Sequence, residues 1–215
     1  MSEKRPKDKS ERIASALAQT MPEDRAGLLS LAVQAMADMH AAIMAADELS
    51  AMIAGDRYDA VVWKLNGGQF FGCMDATNPD AGGILAEDHC RATPGTVPMW
   101  GQRGEFLITV SGIRAVVSVQ DGFGRFRVRM GFHVVDVEAP FISATGFHSH
   151  FDSVWSGHTV EDLARAGFAA YLTKKRCSIA PEYRRRRIDD WPWVASRGNL
   201  ERAYVEVDGQ LAFGF

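Results

Sequence analysis

Between Asp24 and Ala54, hydrophobic residues recur every three to four positions, which is the spacing of one face of an α-helix. The residues that share this stripe are Leu29, Ala32, Val33, Met36, Met39, Ile43 and Ala46, extended by Leu49, Met52 and Ile53. A helix of roughly 30 residues is far longer than the globular mean of about 11–12. We therefore expect it either to break near Asp47 or to pack along a partner.

Two shorter helices are predicted on either side of this stripe. One covers residues 10–19, and the other runs from Asp56 to Leu65. Asn66-Gly67-Gly68 follows and is typical of a helix C-cap, because glycine adopts the left-handed conformation without strain. Residues 67–104 are rich in glycine and proline and have no clear periodicity, so they predict either a functional loop or irregular structure that covers the sheet.

From Phe106 the hydrophobic period changes to two, which is typical of β-strands with one buried face. The predicted strands are residues 106–110, 113–119 and 125–137, with 141–151 as a fourth. Short turns between them predict an antiparallel meander. A helix over residues 159–176 follows, opened by a capping box of Thr159 and Asp162. Asp208-Gly209 then indicates a hairpin of residues 203–207 and 211–215.

These elements predict an α+β fold, in which an N-terminal helical segment packs on or beside an antiparallel meander sheet. One further helix and a C-terminal β-hairpin complete it. We expect the helical segment to span residues 1–66, with the polar residues 1–10 disordered, and an α+β domain to span residues 67–215. A chain of 215 residues suits this division.

Composition narrows the class of protein. Hydrophobic residues make up 47% of the chain and the net charge is −3, so attraction of the whole molecule to nucleic acid is not expected and a local basic patch would be needed. The three cysteines form no CxxC pair, which argues against a zinc ribbon. The charged N-terminus does not resemble a signal peptide, and no run of about 18 apolar residues occurs. We expect a soluble cytoplasmic protein that does not contact membranes.

The third strand carries a candidate binding surface. Arg125, Arg127, Arg129 and His133 alternate with apolar residues and so share one face. Side chains on such a face repeat every ~7 Å, so the arginines repel one another unless carboxylates or an anionic ligand compensate them. A guanidinium group matches the oxygens of phosphate. This face therefore predicts a site for an anionic or protein partner.

A second basic block is Arg184, Arg185, Arg186 and Arg187. Tyr183 precedes it, and Trp191 and Trp193 follow it. Cations interleaved with aromatic rings are typical of single-stranded nucleic-acid binding. Glu182, Asp189 and Asp190 flank the block, however, and their charges would equally suit a solvated surface turn.

Four of the six histidines lie within residues 133–158. His148 and His150 would present two imidazoles on one face of a strand, and His158 is a candidate third ligand. His133 and Asp152 are further candidates. Histidine and carboxylate ligands suit a divalent transition metal, which could generate hydroxide for hydrolysis. An HxH pair also occurs without any metal, with one imidazole packed and the other exposed.

No complete catalytic signature accompanies these residues. A dinucleotide fingerprint, a P-loop, a GxSxG elbow and the kinase signature set are all missing from the sequence. We therefore predict no cofactor and favour a non-enzymatic binding protein. A metal-dependent hydrolase centred on His148, His150 and His158 is the first alternative. A homo-oligomeric structural module assembled through the Ala- and Met-rich N-terminal helix is the second.

Residues 140–151, with the sequence PFISATGFHSHF, resemble small α+β proteins carried by bacterial plasmids and phages. The resemblance covers about a dozen residues and implies no particular chemistry. It implies an accessory protein of a mobile element, with an anti-defence role among the options. The identity of the partner, protein or nucleic acid, stays open on sequence grounds.

Overall fold

A computed structural model describes residues 9–122, 126–174, 176–184 and 191–194. The chain begins with helices and continues into a sheet, so the predicted α+β fold is confirmed. The N-terminal helices are α1 (Lys9–Leu17) with a 3-10 turn at Ala18–Thr20, α2 (Arg25–Met44), α3 (Glu48–Leu65) and α4 (Gly82–Cys90). Helix α1 starts inside the stretch that was predicted to be disordered, and the predicted C-terminal hairpin lies outside the described residues.

Two aspartates set the starts of the long helices. The Asp24 carboxylate accepts a hydrogen bond from the Gly27 amide at 2.8 Å, and the Asp47 carboxylate accepts one from the Ser50 amide at 3.0 Å. Each satisfies a free amide in the first helical turn. The chain therefore breaks before Asp47, as one of the two sequence options proposed. The prediction that a separate helix starts at Asp56 was wrong, because α3 is continuous from Glu48.

The break also rotates the start of α3 relative to the predicted stripe. Leu49 is 69% exposed and Ile53 is 52% exposed, and Met52 is exposed as well. The residues of α3 that are buried are Ala51, Ala54, Gly55, Ala60, Val61 and Val62. The extension of the stripe through Leu49, Met52 and Ile53 was therefore wrong, because three residues outside the helix separate the two phases.

Helix α4 was missed in the glycine-rich stretch. Asn66, the C-cap of α3, holds it in place: its side-chain oxygen accepts from the Gly82 amide at 3.1 Å. Its amide group donates to the carbonyls of Gln69 and Phe71. A Cβ on Gly82 would lie 2.7 Å from the Val62 carbonyl oxygen, so only glycine allows α4 to approach α3 this closely.

The sheet has four antiparallel strands in the order β1-β2-β3-β4, which confirms the predicted meander. The strands are β1 (Gly104–Val110), β2 (Ile113–Asp121), β3 (Arg127–Val134) and β4 (Phe147–Ser153). The third strand ends earlier than predicted, at Val134. Phe141, expected in the fourth strand, forms an isolated antiparallel bridge with Cys177 instead.

Helix α5 (Val160–Lys174) covers one face of this sheet. The predicted capping box is present: the Asp162 carboxylate accepts from the Thr159 amide at 2.8 Å, and the Asp162 amide donates to the Thr159 hydroxyl at 3.1 Å. Leu163 and Phe168 pack on Phe132 and its neighbours in the main hydrophobic core. A short helix α6 (Pro181–Arg184) follows.

Helix α2 joins two hydrophobic clusters. Its N-terminal part, with Leu28 and Ala32, packs with α1, α3 and α4 in a helical cluster. Its C-terminal part, with Ala42 and Ile43, belongs to the core of the sheet. By length and apolar composition alone, α2 would also pass as a membrane-spanning helix. Of that apolar stretch, 33% is buried inside the structure.

Candidate functional site

The face of the sheet opposite α5 carries the predicted basic stripe. In the register, Arg129 lies between Gln120 on β2 and Phe151 on β4, so these three side chains form a row across the sheet. Arg127 lies two residues along β3, opposite Ser153. We call this set, Gln120, Arg127, Arg129 and Phe151, the open face. Arg125 lies outside the described residues.

The two arginines of the open face differ from most of the other arginines that the structure describes. Arg127 is exposed and Arg129 is half-buried. The Arg129 guanidinium lies over the Phe151 ring, 5.7 Å from its centroid, a distance typical of a cation–π contact. Within the described part of the chain, neither arginine forms an ion pair with a carboxylate. Their charges are therefore available to an anion.

Another part of the same face, around Glu105 and His133, is covered by Trp191. Its indole NH donates to the Glu105 carboxylate at 3.1 Å, and its ring meets the His133 ring edge-on with centroids 4.9 Å apart. His133 also contacts the Ser118 hydroxyl at 3.0 Å and packs on the Phe147 ring. His133 thus shares a face with Arg127 and Arg129, as the alternation predicts, yet it lies beneath an indole rather than in an open surface.

Two further arginines are compensated by carboxylates. Arg114 forms a two-pronged contact with Asp136, with Nε 3.0 Å from Oδ2. Arg184, the first residue of the predicted basic block, lies 3.2 Å from the Glu138 carboxylate and donates to the Ile179 carbonyl. Arg185, Arg186 and Arg187 lie outside the described residues.

The histidine cluster is divided between two places. His148 and His150 lie on the α5 side of β4, against Tyr171: the His150 Nδ1 is 2.9 Å from the Tyr171 hydroxyl, and the His148 ring meets the Tyr171 ring edge-on. Asp152 lies 3.4 Å from the other nitrogen of His150. His158 is exposed in the loop before α5, where it contacts the Trp155 ring and the Ser156 carbonyl.

This arrangement does not bring the three predicted metal ligands together. Among the described residues, no group of three or more His, Cys, Asp or Glu side chains is placed to hold a metal ion. Burial and the neighbouring His150 lower the pKa of His148, which favours the neutral form of this imidazole. His148, His150 and Tyr171 therefore form a packed aromatic and polar contact between β4 and α5.

The long N-terminal helices use their cations differently. Each basic residue of α2 and α3 is ion-paired: Arg25 with Asp80 at 3.4 Å, Arg57 with Asp38 at 2.7 Å, and Lys64 with Glu23 at 2.7 Å. Lys64 also donates to the carbonyls of Ala18 and Met21, where it closes the end of the 3-10 turn. These charges hold the helices together and leave little for a ligand.

Comparison with known proteins divides the chain at the same place as its architecture. Residues 13–89 match the family model described as the KlcB N-terminal DNA-binding domain, and residues 103–191 match the one described as the KlcB third domain. The chain is similar to KlcB. One protein named KlcB from Escherichia coli is 52% identical over 170 residues, and another from the same organism is 45% identical over 185 residues.

These alignments cover 79% and 83% of this chain, but 36% and 46% of the two KlcB proteins. The chain thus spans less than half the length of these curated relatives. No solved structure matches it. The first KlcB match ends within α4 and the second begins just before β1. We call residues 13–89 the helical region and residues 103–191 the sheet region.

The charge of the helical region is unexpected for a match to a DNA-binding domain. It holds three Lys or Arg, the ion-paired residues above, against eleven Asp or Glu. The acidic residues are Glu23, Asp24, Asp38, Asp47, Glu48, Asp56, Asp59, Asp75, Asp80, Glu87 and Asp88. Phosphate contacts normally come from Lys and Arg, so in this chain the composition points away from the helical region as their main source.

Two residues of the open face escaped the sequence analysis. Phe151 and Gln120 were not singled out, although the alternation of residues 147–153 separates Phe151 from His148 and His150. The position of Phe151 opposite Arg129 depends on the register between β3 and β4, which the alternation does not give. Trp191 covers His133 although the two residues are far apart in the sequence, and no local pattern of residues predicts such a contact.

Proposed function

We propose that this chain is a non-enzymatic accessory protein of a bacterial mobile element that binds nucleic acid through the open face of its sheet. The similarity to KlcB supports DNA as the partner, since the model that matches residues 13–89 is described as DNA-binding. A nucleic-acid partner suits a cytoplasmic protein. An anti-defence role stays a prediction, because none of these observations bears on it.

The observation that carries the proposal is the contrast in how the arginines are used. Arg127 and Arg129 lie ~7 Å apart along one strand, and neither is paired with a described carboxylate. Arg25, Arg57 and Lys64 are all paired. A guanidinium group that keeps its charge free can take two oxygens of a phosphate at once. The open face therefore supplies the phosphate contacts that the helical region lacks.

A charge-reversal experiment tests this assignment. The double variant Arg127→Glu/Arg129→Glu should weaken binding of fluorescently labelled DNA at low salt by at least about tenfold, since each lost phosphate contact also returns a counterion to the DNA. Arg127 is exposed and Arg129 is only half-buried, so the melting temperature should change little. Fluorescence anisotropy and a thermal melt give the two readouts.

The matched control is Arg25→Glu/Arg91→Glu, which changes the net charge by the same amount at exposed positions outside the sheet. Arg25 pairs with Asp80 and Arg91 with Asp88, so each reversal removes a surface ion pair worth less than about 1 kcal/mol. Binding should change far less than in the open-face variant. Equal losses in both variants would mean that only net charge matters, and the proposed site would be wrong.

One observation favours self-association as a second candidate function. The start of α3 carries an exposed apolar stripe of Leu49, Met52 and Ile53. Met52 and Ile53 follow Leu49 by three and four residues, so the three side chains lie on one side of the helix. Such a stripe is a candidate contact between two copies of the chain. Light scattering of the wild type and of Leu49→Glu/Ile53→Glu tests it: a wild-type mass above that of one chain that falls in the variant supports the role, and a monomeric wild type removes it.

A further inference from the structure

We infer that the row Gln120, Arg129 and Phe151 is a platform on which an unpaired nucleobase stacks, so that the preferred ligand is a single-stranded nucleic acid. This inference rests on the proposed function and names its substrate class. The row lies on three adjacent strands, with neighbouring strands ~4.8 Å apart. Its members are a carboxamide, a guanidinium and an aromatic ring.

Phe151 is the first step of the argument. It is 54% exposed, although burial of a phenylalanine side chain stabilises a fold. The Arg129 guanidinium contacts one side of the ring. Every nucleobase has a π face, and stacking on an aromatic side chain needs no particular sequence. The exposed part of the ring is therefore a surface that a base could cover.

The neighbours of Phe151 complete such a site. Arg129 carries positive charge beside the ring, and Arg127 adds a second charge two residues along the strand. Gln120 is exposed at the other end of the row, where its carboxamide can donate to and accept from a base edge. An aromatic ring with cations beside it is the combination that single-strand binders use, with charge for the backbone and rings for the bases.

The shape of the open face disfavours the alternative of reading a duplex. Four strands span three spacings, or about 14 Å across, whereas the major groove of B-DNA is about 12 Å wide and admits a helix or a two-stranded ribbon. The face cannot enter that groove as a whole. Bases that are already unpaired can reach the ring, so the geometry favours a single strand.

The test compares the affinity of the wild type and of Phe151 variants for an oligothymidine single strand and for a mixed-sequence duplex of equal length. Phe151→Leu keeps an apolar side chain but removes the aromatic ring, whereas Phe151→Tyr keeps the ring. We expect Phe151→Leu to lose on the order of tenfold in single-strand affinity, with a much smaller loss for the duplex. Phe151→Tyr should bind like the wild type, and all three proteins should melt at similar temperatures.

The outcomes separate this inference from the proposed function. If the wild type binds neither probe, the proposed function fails and the platform fails with it. A second outcome is that the wild type binds the single strand, Arg127→Glu/Arg129→Glu weakens this binding, and Phe151→Leu binds normally. In that case the proposed function holds and only the inference of a stacking platform is wrong. Equal losses for both probes in Phe151→Leu would also overturn it, since they would make the ring a general contact, as on a protein-binding surface.

Discussion

The helical and sheet regions differ in how completely carboxylates neutralise their basic residues. In the helical region, Arg25, Arg57 and Lys64 are each ion-paired, and Lys64 in addition closes a turn. In the sheet region, Arg114 and Arg184 are paired with carboxylates, while Arg127 and Arg129 are left without one among the described residues. A basic residue in the sequence therefore says little about binding until its carboxylate neighbours are known.

The two regions are nonetheless packed together. The Gly157 amide donates to the Ile43 carbonyl at 3.0 Å. Trp100, which lies between the two regions, contacts both: its amide donates to the His40 Nδ1 at 3.2 Å and its indole NH donates to the His158 carbonyl at 2.7 Å. Trp100 is 1% exposed and belongs to the same core cluster as Ile43. The two regions with different charge therefore belong to one packed structure. In each region, DNA binding and stability can be measured separately on the same variants.

The largest expected effect concerns the salt dependence of DNA binding. Each phosphate contact contributes about 0.7 to the slope of log K against log salt concentration for a single strand. Replacing both Arg127 and Arg129 by Ala should therefore reduce that slope by about 1.4. A salt titration by fluorescence anisotropy measures it directly.

The corresponding change in the helical region is Arg25→Ala/Arg57→Ala. Because these two arginines neutralise Asp80 and Asp38 rather than a ligand, the salt slope should stay the same. A slope reduced equally by this variant would show that ion-paired cations also contact DNA, and the contrast between the two regions would no longer hold.

Trp191 gives the second largest effect, this time on stability. The indole is 9% exposed and links Glu105 on β1 to His133 on β3. Trp191→Ala removes a buried ring and should lower the free energy of unfolding by about 3 kcal/mol. Urea denaturation followed by circular dichroism measures this loss.

Trp193→Ala serves as the comparison, since that residue is less buried and follows two positions later. It should cost clearly less than Trp191→Ala. Equal losses would mean that the segment stabilises the sheet as a whole, not through the contact of one indole with His133 and Glu105.

The sequence predicted those parts of the fold whose signal is local. The alternation along β3 identified which residues face the core, and the Thr159–Asp162 capping box located the start of α5. Helix α4 was missed because its position depends on Asn66 holding Gly82, a contact across 16 residues. The burial of Leu49 and Ile53 was mispredicted because three residues between α2 and α3 shift the helical phase.

The candidate site was predictable only in part, for a similar reason. Alternation alone placed Arg127, Arg129 and His133 on one face. It could not tell that Trp191 would cover His133, that Glu138 would pair with Arg184, or that Phe151 would lie opposite Arg129. Each of these depends on strand register or on residues distant in the sequence, which a periodic pattern does not encode.

A pair of helix caps tests whether the two regions unfold together, with a smaller expected effect. Asp47→Ala removes the cap of α3 in the helical region, and Thr159→Ala removes half of the capping box of α5. Each should lower the melting temperature modestly, because it removes a partner of a free amide in the first helical turn. Because α2 contributes to both hydrophobic clusters, we expect one calorimetric transition that both variants shift to lower temperature.

Two transitions, each moved by only one of the variants, would contradict this expectation. They would support the division into a helical segment and a separate α+β domain that the sequence predicts. The charge contrast would then belong to two independent folding units, and each could be assayed for DNA binding alone.

The smallest expected effect is a pH dependence at the junction of the two regions. Burial lowers the pKa of His40 below its ordinary value, and its Nδ1 accepts a hydrogen bond from the Trp100 amide, which requires an unprotonated nitrogen. As pH falls below about 6.5, the unfolded chain binds a proton that the folded chain resists. The free energy of unfolding therefore decreases as the pH is lowered through this range, and the full stability is present at higher pH.

His40→Asn keeps an acceptor for the Trp100 amide and removes the titration, so its stability should vary less between pH 7 and pH 5 than that of the wild type. His148, whose pKa is also lowered, lies within the sheet region, and His148→Asn provides the comparison. If unfolding by urea at the two pH values shows that only His148→Asn flattens the dependence, the titration belongs to the sheet region alone. If His40→Asn reduces the pH dependence of stability, protonation acts at the contact between His40 and Trp100. This contact helps to hold the acidic helical region against the sheet that carries Arg127 and Arg129.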